Sequence, residues 1–209
     1  MPKRSIVYID GFNLYYGALK GTPWKWLDLQ RYFETLRSDD EIVEIAYFTA
    51  LVHGPSATRA RQETYLSALG ELAKVDIIYG KYRPKTVRCT VVCPYDGNRS
   101  FTVQEEKQTD VAIGVRMMDD AYRDRCDRLI IVSGDGDMVP AIRMVRDRFP
   151  EKTTHVYIPA RNKKRAAARD VRDAAHKART LPASLIEKCQ LPAEITATSG
   201  ATISKPTQW

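Results

Sequence analysis

Aspartates that follow short β-branched runs are the side chains of this protein best placed to do chemistry. Asp10 closes the run Ile6-Val7-Tyr8-Ile9, and Asp135 and Asp137 come directly after Ile130-Ile131-Val132-Ser133-Gly134. In an open parallel sheet, ligands bind beyond the carboxyl ends of the strands, so acids at these positions converge on the ligand edge. Gly11, Gly134 and Gly136 stand beside them and are expected to let the backbone turn sharply and leave room for a ligand. Carboxylates gathered at one edge repel one another until something positive sits between them. A hard divalent cation, Mg²⁺ or Mn²⁺, takes oxygen ligands and keeps waters for chemistry. One or two such ions fit the pattern, and two could activate a water and stabilise the leaving oxygen of a phosphodiester.

Each residue also has a plainer reading. Asp10-Gly11 reads as a turn and Asn13 as a helix N-cap. Asp137 reads as the cap of a helix beginning at Met138, with Pro140 tolerated in its first turn, and Asp110 as the cap of a helix after Thr109. A cap needs one oxygen acceptor, however, and not two strand-end acids flanked by glycines. The residues by themselves lead to a metal site and no further.

The elements that must position these acids alternate between strand and helix. Strands are expected at Ile6–Ile9, Ile42–Phe48, Val75–Tyr79, Leu129–Val132 and His155–Ile158. Helical patterns fall at Leu14–Leu19, Asp28–Leu36, Ala57–Ala73, Thr109–Tyr122, Met138–Arg148 and a basic Lys164–Lys177. In the Thr109–Tyr122 helix, Val111, Val115, Met118 and Tyr122 form one apolar side and Ile113 and Met117 a second, which predicts a well-buried helix. Thr86–Val92 and Ser100–Val103 read as hairpin arms joined through Asp96-Gly97-Asn98. This alternation predicts an α/β domain with a mainly parallel central sheet over residues 1–180, carrying a small β-hairpin insert at about 84–104. Residues 181–209 are expected to form a short helix and a flexible tail, the end being rich in Ser, Thr and Gly.

Composition narrows the classes. The chain has 209 residues, 44% hydrophobic and 28% charged, enough for one domain with a modest extension. No apolar run approaches the ~18 residues of a membrane helix, and the first apolar stretch is too short for a signal peptide, so a cytoplasmic protein with no membrane partner is expected. Cys89, Cys93, Cys126 and Cys189 are too sparse for a disulfide scaffold. The net charge of +7 is concentrated: eight basic residues lie between Arg161 and Arg179 against only Asp170 and Asp173. Such a patch suits a polyanion, and Arg161, Lys163, Lys164, Arg165 and Arg169 are the expected RNA contacts if the preceding strand borders the acids. The alternative is a solvated helix face. Phe12, Tyr15, Tyr16, Trp24 and Trp26 offer rings for base stacking, with core packing as the plainer role. His53, His155 and His176 sit in no triad-like context, and nothing reads as a covalent nucleophile.

Three ordered segments carry a family resemblance: Tyr8-Ile9-Asp10-Gly11-Phe12-Asn13-Leu14, Lys107-Gln108-Thr109-Asp110-Val111 and Ser133-Gly134-Asp135-Gly136-Asp137-Met138-Val139-Pro140. They resemble the NYN domain of the PIN-like nuclease superfamily, most nearly its LabA-like bacterial branch, over roughly Ser5 to Ala178. The resemblance implies a PIN-like three-layer α/β/α fold with a C-terminal helical extension. It also implies Mg²⁺ or Mn²⁺ at an acidic cluster, and an endoribonuclease. On this reading Asp10, Asp110, Asp135 and Asp137 are the catalytic metal ligands, supported by Asn13, Ser133 and Lys107, and RNA is the partner, with a homodimer as an option. Relatives often carry a cysteine pair before the middle acid. Here Cys89 and Cys93 fall two ligands short of a zinc site, so cross-strand thiols are expected instead. Two other functions compete: an RNA-binding module of the same fold with little turnover, and a phosphatase of the haloacid-dehalogenase type. The second is suggested by Gly134-Asp135-Gly136-Asp137, but Phe12 stands where that family needs a second acid.

Overall fold

The computed structural model describes residues 1–52, 56–88, 100–160 and 169–209, apart from the side chains of residues 56, 82–84 and 103–107. Six strands form one parallel sheet: β1 (Lys3–Asp10), β2 (Asp40–Thr49), β3 (Val75–Tyr79), β6 (Arg128–Val132), β7 (Thr153–Ile158) and β8 (Lys177–Thr180), in the order β3-β2-β1-β6-β7-β8. The strands between β3 and β6 are β4 (Lys81–Arg88) and β5 (Ser100–Lys107), which pair antiparallel as a separate ribbon. That insert is longer than its β-branched stretches suggested. The turn at Asp96-Gly97-Asn98 lies outside the described residues, as do Cys89 and Cys93.

A sheet covered on both faces needs strands that are apolar on both, and Ile6, Val7, Tyr8 and Ile9 are all fully buried. Val7 and Ile9 of β1, with Ile130 and Val132 of β6, face the helices α2 (Leu29–Leu36), α3 (Ser56–Gly70) and α7 (Ala183–Lys188). Ile6, Tyr8, Leu129 and Ile131 face α4 (Thr109–Tyr122), α5 (Val139–Arg148) and α6 (Arg169–Ala174). The result is a three-layer α/β/α fold with a mainly parallel centre. Among the described residues no helix is long and apolar enough to cross a membrane.

Four expectations are corrected. Helix α4 is not buried all round: Ile113, Met117 and Ala121 pack on the sheet, while Val111, Val115 and Tyr122 are exposed. Periodicity marks two apolar sides but not which one the sheet claims. The segment after β1 is a four-residue helix α1 (Gly11–Leu14) running into a π-helical turn at Tyr15–Leu19. The basic stretch is not one helix to Lys177: α6 stops at Ala174 and Lys177 opens β8. Residues 194–209 are no loose tail. Strands β9 (Glu194–Thr196) and β10 (Thr202–Ser204) pair, Thr198 hydrogen-bonds Glu71, and the Trp209 ring packs 5.8 Å from Tyr65 and 6.4 Å from Trp26.

Candidate metal centre

Asp10 is the last residue of β1 and the N-cap of α1, its Oδ1 accepting from the Asn13 backbone N–H at 2.9 Å. Its Oδ2 accepts from Asn13 Nδ2 at 2.7 Å and from the Ser133 hydroxyl at 3.3 Å. Asn13 reaches across to the neighbouring strand, its Oδ1 accepting from the Gly134 N–H at 3.3 Å. Ser133 in turn accepts from the Asp135 N–H at 3.1 Å. These bonds fasten the carboxyl end of β1 to the turn that leaves β6, so the two strand-end acids share one rigid frame.

The capping roles fall differently from the plainer sequence readings. Asp135, not Asp137, caps the 3₁₀ turn Gly136–Met138 that leads into α5, accepting from the Asp137 N–H at 3.0 Å. Asp10, not Asn13, caps α1. Asp110 lies in the first turn of α4, whose cap position is Gln108 with a left-handed φ of 81° and no side-chain cap bond. Neither Asp110 nor Asp137 is consumed by capping, and both are left facing the site. The glycines serve other ends than positive φ. A Cβ at Gly11 would lie 2.8 Å from the Tyr47 ring and the Phe48 carbonyl, so close packing demands glycine, whereas Gly136 meets open space.

Asp110, Asp135 and Asp137 each offer a carboxylate oxygen, and these three atoms lie within 4.8 Å of one another. Asp10 is buried beside them, and its charge is felt by the group. Burial first, and then the charges of Asp10, Asp135 and Asp137, push the Asp110 carboxyl up to about 6. Burial also raises the Asp10 carboxyl, against the bonds from Asn13 and Ser133, and the Asp135 charge adds to the rise. Oδ1 of Asp10 keeps an acceptor position beyond its bond to Asn13. Among the described residues no Lys or Arg pairs with any of the four. Oxygen donors of one sign, crowded and unneutralised, could hold a divalent cation. His155 and His176 sit toward the amino ends of β7 and β8, away from this edge, and burial lowers the His155 ring to about 4.

The remaining expected residues are placed unevenly. Helix α6 packs against the 3₁₀ turn that holds Asp137, and Arg169 at its start is exposed, 3.9 Å from Asp173. Arg161, Lys163, Lys164 and Arg165 lie outside the described residues, as does the side chain of Lys107. Asp119 is paired with Arg123 at 2.8 Å on the surface. Its neighbour Asp120 is fully buried and bound by Tyr8, Arg116 and Arg125. Sequence reading also missed a cavity of about 310 Å³ lined by Gly11 and Phe12, the two residues that follow Asp10, and by further aromatic residues. Its one signal was the ring-rich segment around Tyr15 and Tyr16. Phe12, standing where a phosphatase acid was required, faces that cavity.

The NYN domain profile matches residues 4–182. Among curated proteins, the chain is 32% identical over 223 aligned residues to 6-hydroxy-3-succinoylpyridine 3-monooxygenase HspA of Pseudomonas putida, covering 91% of this chain and 71% of that protein. Among solved structures, it resembles a protein of unknown function from Vibrio parahaemolyticus with a TM-score of 0.54 at 19% identity, covering 87% of this chain and 94% of that one.

Proposed function

This chain belongs to the NYN domain family, and from that premise we propose that its acidic edge hydrolyses RNA phosphodiester bonds with Mg²⁺ or Mn²⁺. The observation that carries the reading is the group Asp110, Asp135 and Asp137, with oxygens within 4.8 Å of one another and no cationic partner among the described residues. A divalent cation held there supplies the acidity that makes water nucleophilic and the charge a departing oxygen needs. Asp110 and Asp135 hold it from opposite elements, α4 and the turn after β6. Asp137, at the exposed rim, orients water or supports a second ion. Asp10 contributes charge from behind, while Asn13 and Ser133 fix its orientation. Arg169, with the basic residues that precede it, receives the phosphate backbone.

The test is cleavage of an end-labelled single-stranded RNA with Mn²⁺ or with EDTA, alongside calorimetric titration of Mn²⁺ alone. Asp135→Asn is expected to abolish cleavage and to weaken Mn²⁺ binding at least tenfold. Cleavage that survives in EDTA or in the variant would overturn the reading. RNA binding without cleavage by either protein would leave the binding-module alternative.

A second reading follows from the curated relative's name: oxygen insertion into a hydroxypyridine acid, with O₂ as oxidant and an external reductant. The similarity over 91% of this chain and the ring-lined cavity favour it. Oxygen uptake dependent on such an acid, by protein that leaves RNA intact, would establish it over hydrolysis.

A further inference from the structure

The cavity that begins at Gly11, directly after Asp10 in the chain, is walled by Phe12, Tyr15, Tyr16, Tyr47, Tyr65 and Trp209, contributed by α1 and its π turn, β2, α3 and the C-terminal segment. Its volume of about 310 Å³ lies at the lower end of the range for small-molecule sites. The rings are held, not merely near. Tyr65 donates its hydroxyl to the Leu27 carbonyl at 2.8 Å, and Trp209 is wedged edge-on against Tyr65 and Trp26. Tyr16, in contrast, is 54% exposed, edge-on to Tyr15 at 5.2 Å and roughly parallel to Phe12 at 6.4 Å. A ring entering here meets fixed aromatic walls on the inner side and one accessible ring at the mouth.

Cations border the same opening. Lys20 Nζ stands 4.7 Å from the Tyr16 ring centre and Lys25 Nζ 5.9 Å from that of Trp209. Arg61 lines the cavity as well, anchored by Nη1 to Gln208 at 2.8 Å and by Nη2 to Thr58 at 3.1 Å. Among the described residues no acidic side chain lines it. Deep within, the Gln62 amide is locked, accepting from the Val52 N–H at 2.8 Å and donating to the Ala50 carbonyl at 3.0 Å. An apolar aromatic floor with a cationic rim selects a flat ring that carries negative charge. The location adds direction: β1 ends with Asp10 in the acidic site, and the next residues, Gly11 and Phe12, line the cavity.

We propose that this cavity seats a planar heteroaromatic ring bearing an anionic group, the base and phosphate of a nucleotide next to the bond cut at the acidic edge. The nucleotide identity rests on the hydrolase reading; the ring-and-anion chemistry does not, and a free hydroxypyridine acid shares it. Stacking on successive aromatic side chains tolerates any base, so the seat selects unpaired strands more than particular sequences.

The test is calorimetric titration of the full chain in EDTA, which separates the cavity from the cation. Uridine 5′-monophosphate and 6-hydroxynicotinate represent the two sources, and ribose 5-phosphate is the anion without a base. At least one ring compound is expected to bind, with ribose 5-phosphate at least tenfold weaker. Tyr16→Ala and Lys20→Ala, both at exposed positions, are each expected to weaken binding roughly tenfold while melting like the wild type. Nucleotide binding assigns the seat to RNA, and binding of the pyridine acid alone assigns it to a small molecule. No binding by either, ribose 5-phosphate binding as tightly, or unaltered affinity in both variants would overturn the proposal. RNA cleavage without any ring binding would leave the hydrolase reading standing and remove the cavity; ring binding without cleavage or Mn²⁺ binding would do the reverse.

Discussion

Replacing Asp110 by Asn should make the cation-free protein more stable, although it removes a candidate metal-binding oxygen. The Asp110 carboxyl is pushed from 3.8 to about 6, by burial first and then by Asp10, Asp135 and Asp137. A rise of about two pH units corresponds to a ceiling near 3 kcal/mol at about 1.4 kcal/mol per unit. Asp110 is only half-buried, and water screens much of that repulsion, leaving about 1 kcal/mol. For a domain of this size that is a rise of roughly 2–4 °C in Tm. The sign with pH follows from linkage. The folded state holds this proton more tightly than the unfolded one, so the penalty is absent below the unfolded value of 3.8, grows as pH rises to about 6, and is complete above it. Thermal melts of wild type and Asp110→Asn in EDTA should therefore differ by a few degrees at pH 8 and converge toward pH 4. With Mn²⁺ the order should reverse, because a ligand at 100 times its Kd adds about 2.7 kcal/mol to the protein that binds it. A variant that melts lower than wild type at pH 8 in EDTA, or a gap indifferent to pH, refutes the picture of an unneutralised acid group.

Three other outcomes are expected. Gly17→Ala places a Cβ 2.1 Å from the Pro159 carbonyl oxygen and should cost about 1–3 kcal/mol, read as a lower urea midpoint. Asp120→Asn strips one partner from a buried set in which Asp120 meets Arg125 at 2.6 Å and Arg116 at 2.9 Å; a loss near 3 kcal/mol in unfolding free energy is expected, with Mn²⁺ affinity unchanged. Charge reversal at Lys163, Lys164 and Arg165 should weaken RNA binding and flatten its dependence on salt, and an unaltered slope would dismiss the patch as the RNA contact.

The strand-end logic made Asp10 and Asp135 legible, since apolar β-branched runs name their own strands and the carboxyl edge follows from parallel topology. Val75–Tyr79 and Thr109–Tyr122 were readable to the residue for the same reason: each is a short, uniform pattern with clear ends. Asp120 was not, because what buries it is remote. Arg116 is one helical turn away, but Tyr8 and Glu44 arrive from β1 and β2. The aromatic cavity was out of reach for a similar reason: its walls come from Phe12 to Trp209, and no local pattern reports that residues 194–209 fold back over Trp26. The capping roles inverted because two candidate caps stood side by side, and only the turn geometry chooses between Asp135 and Asp137.

The strand order β3-β2-β1-β6-β7-β8 has a bearing on biosynthesis. Everything on one side of β1 is encoded by residue 79, and everything on the other begins at residue 128, so β1 must wait for β6 before its second edge is paired. Asp10 emerges from the ribosome 125 residues ahead of Asp135, and the bonds through Asn13 and Ser133 that lock the two together span 121 and 123 residues. A nascent chain halted before β6 carries Asp10, and by then also Asp110, but not the acids that complete the group. The acidic edge is thus assembled only after β6 has been made and has paired with β1.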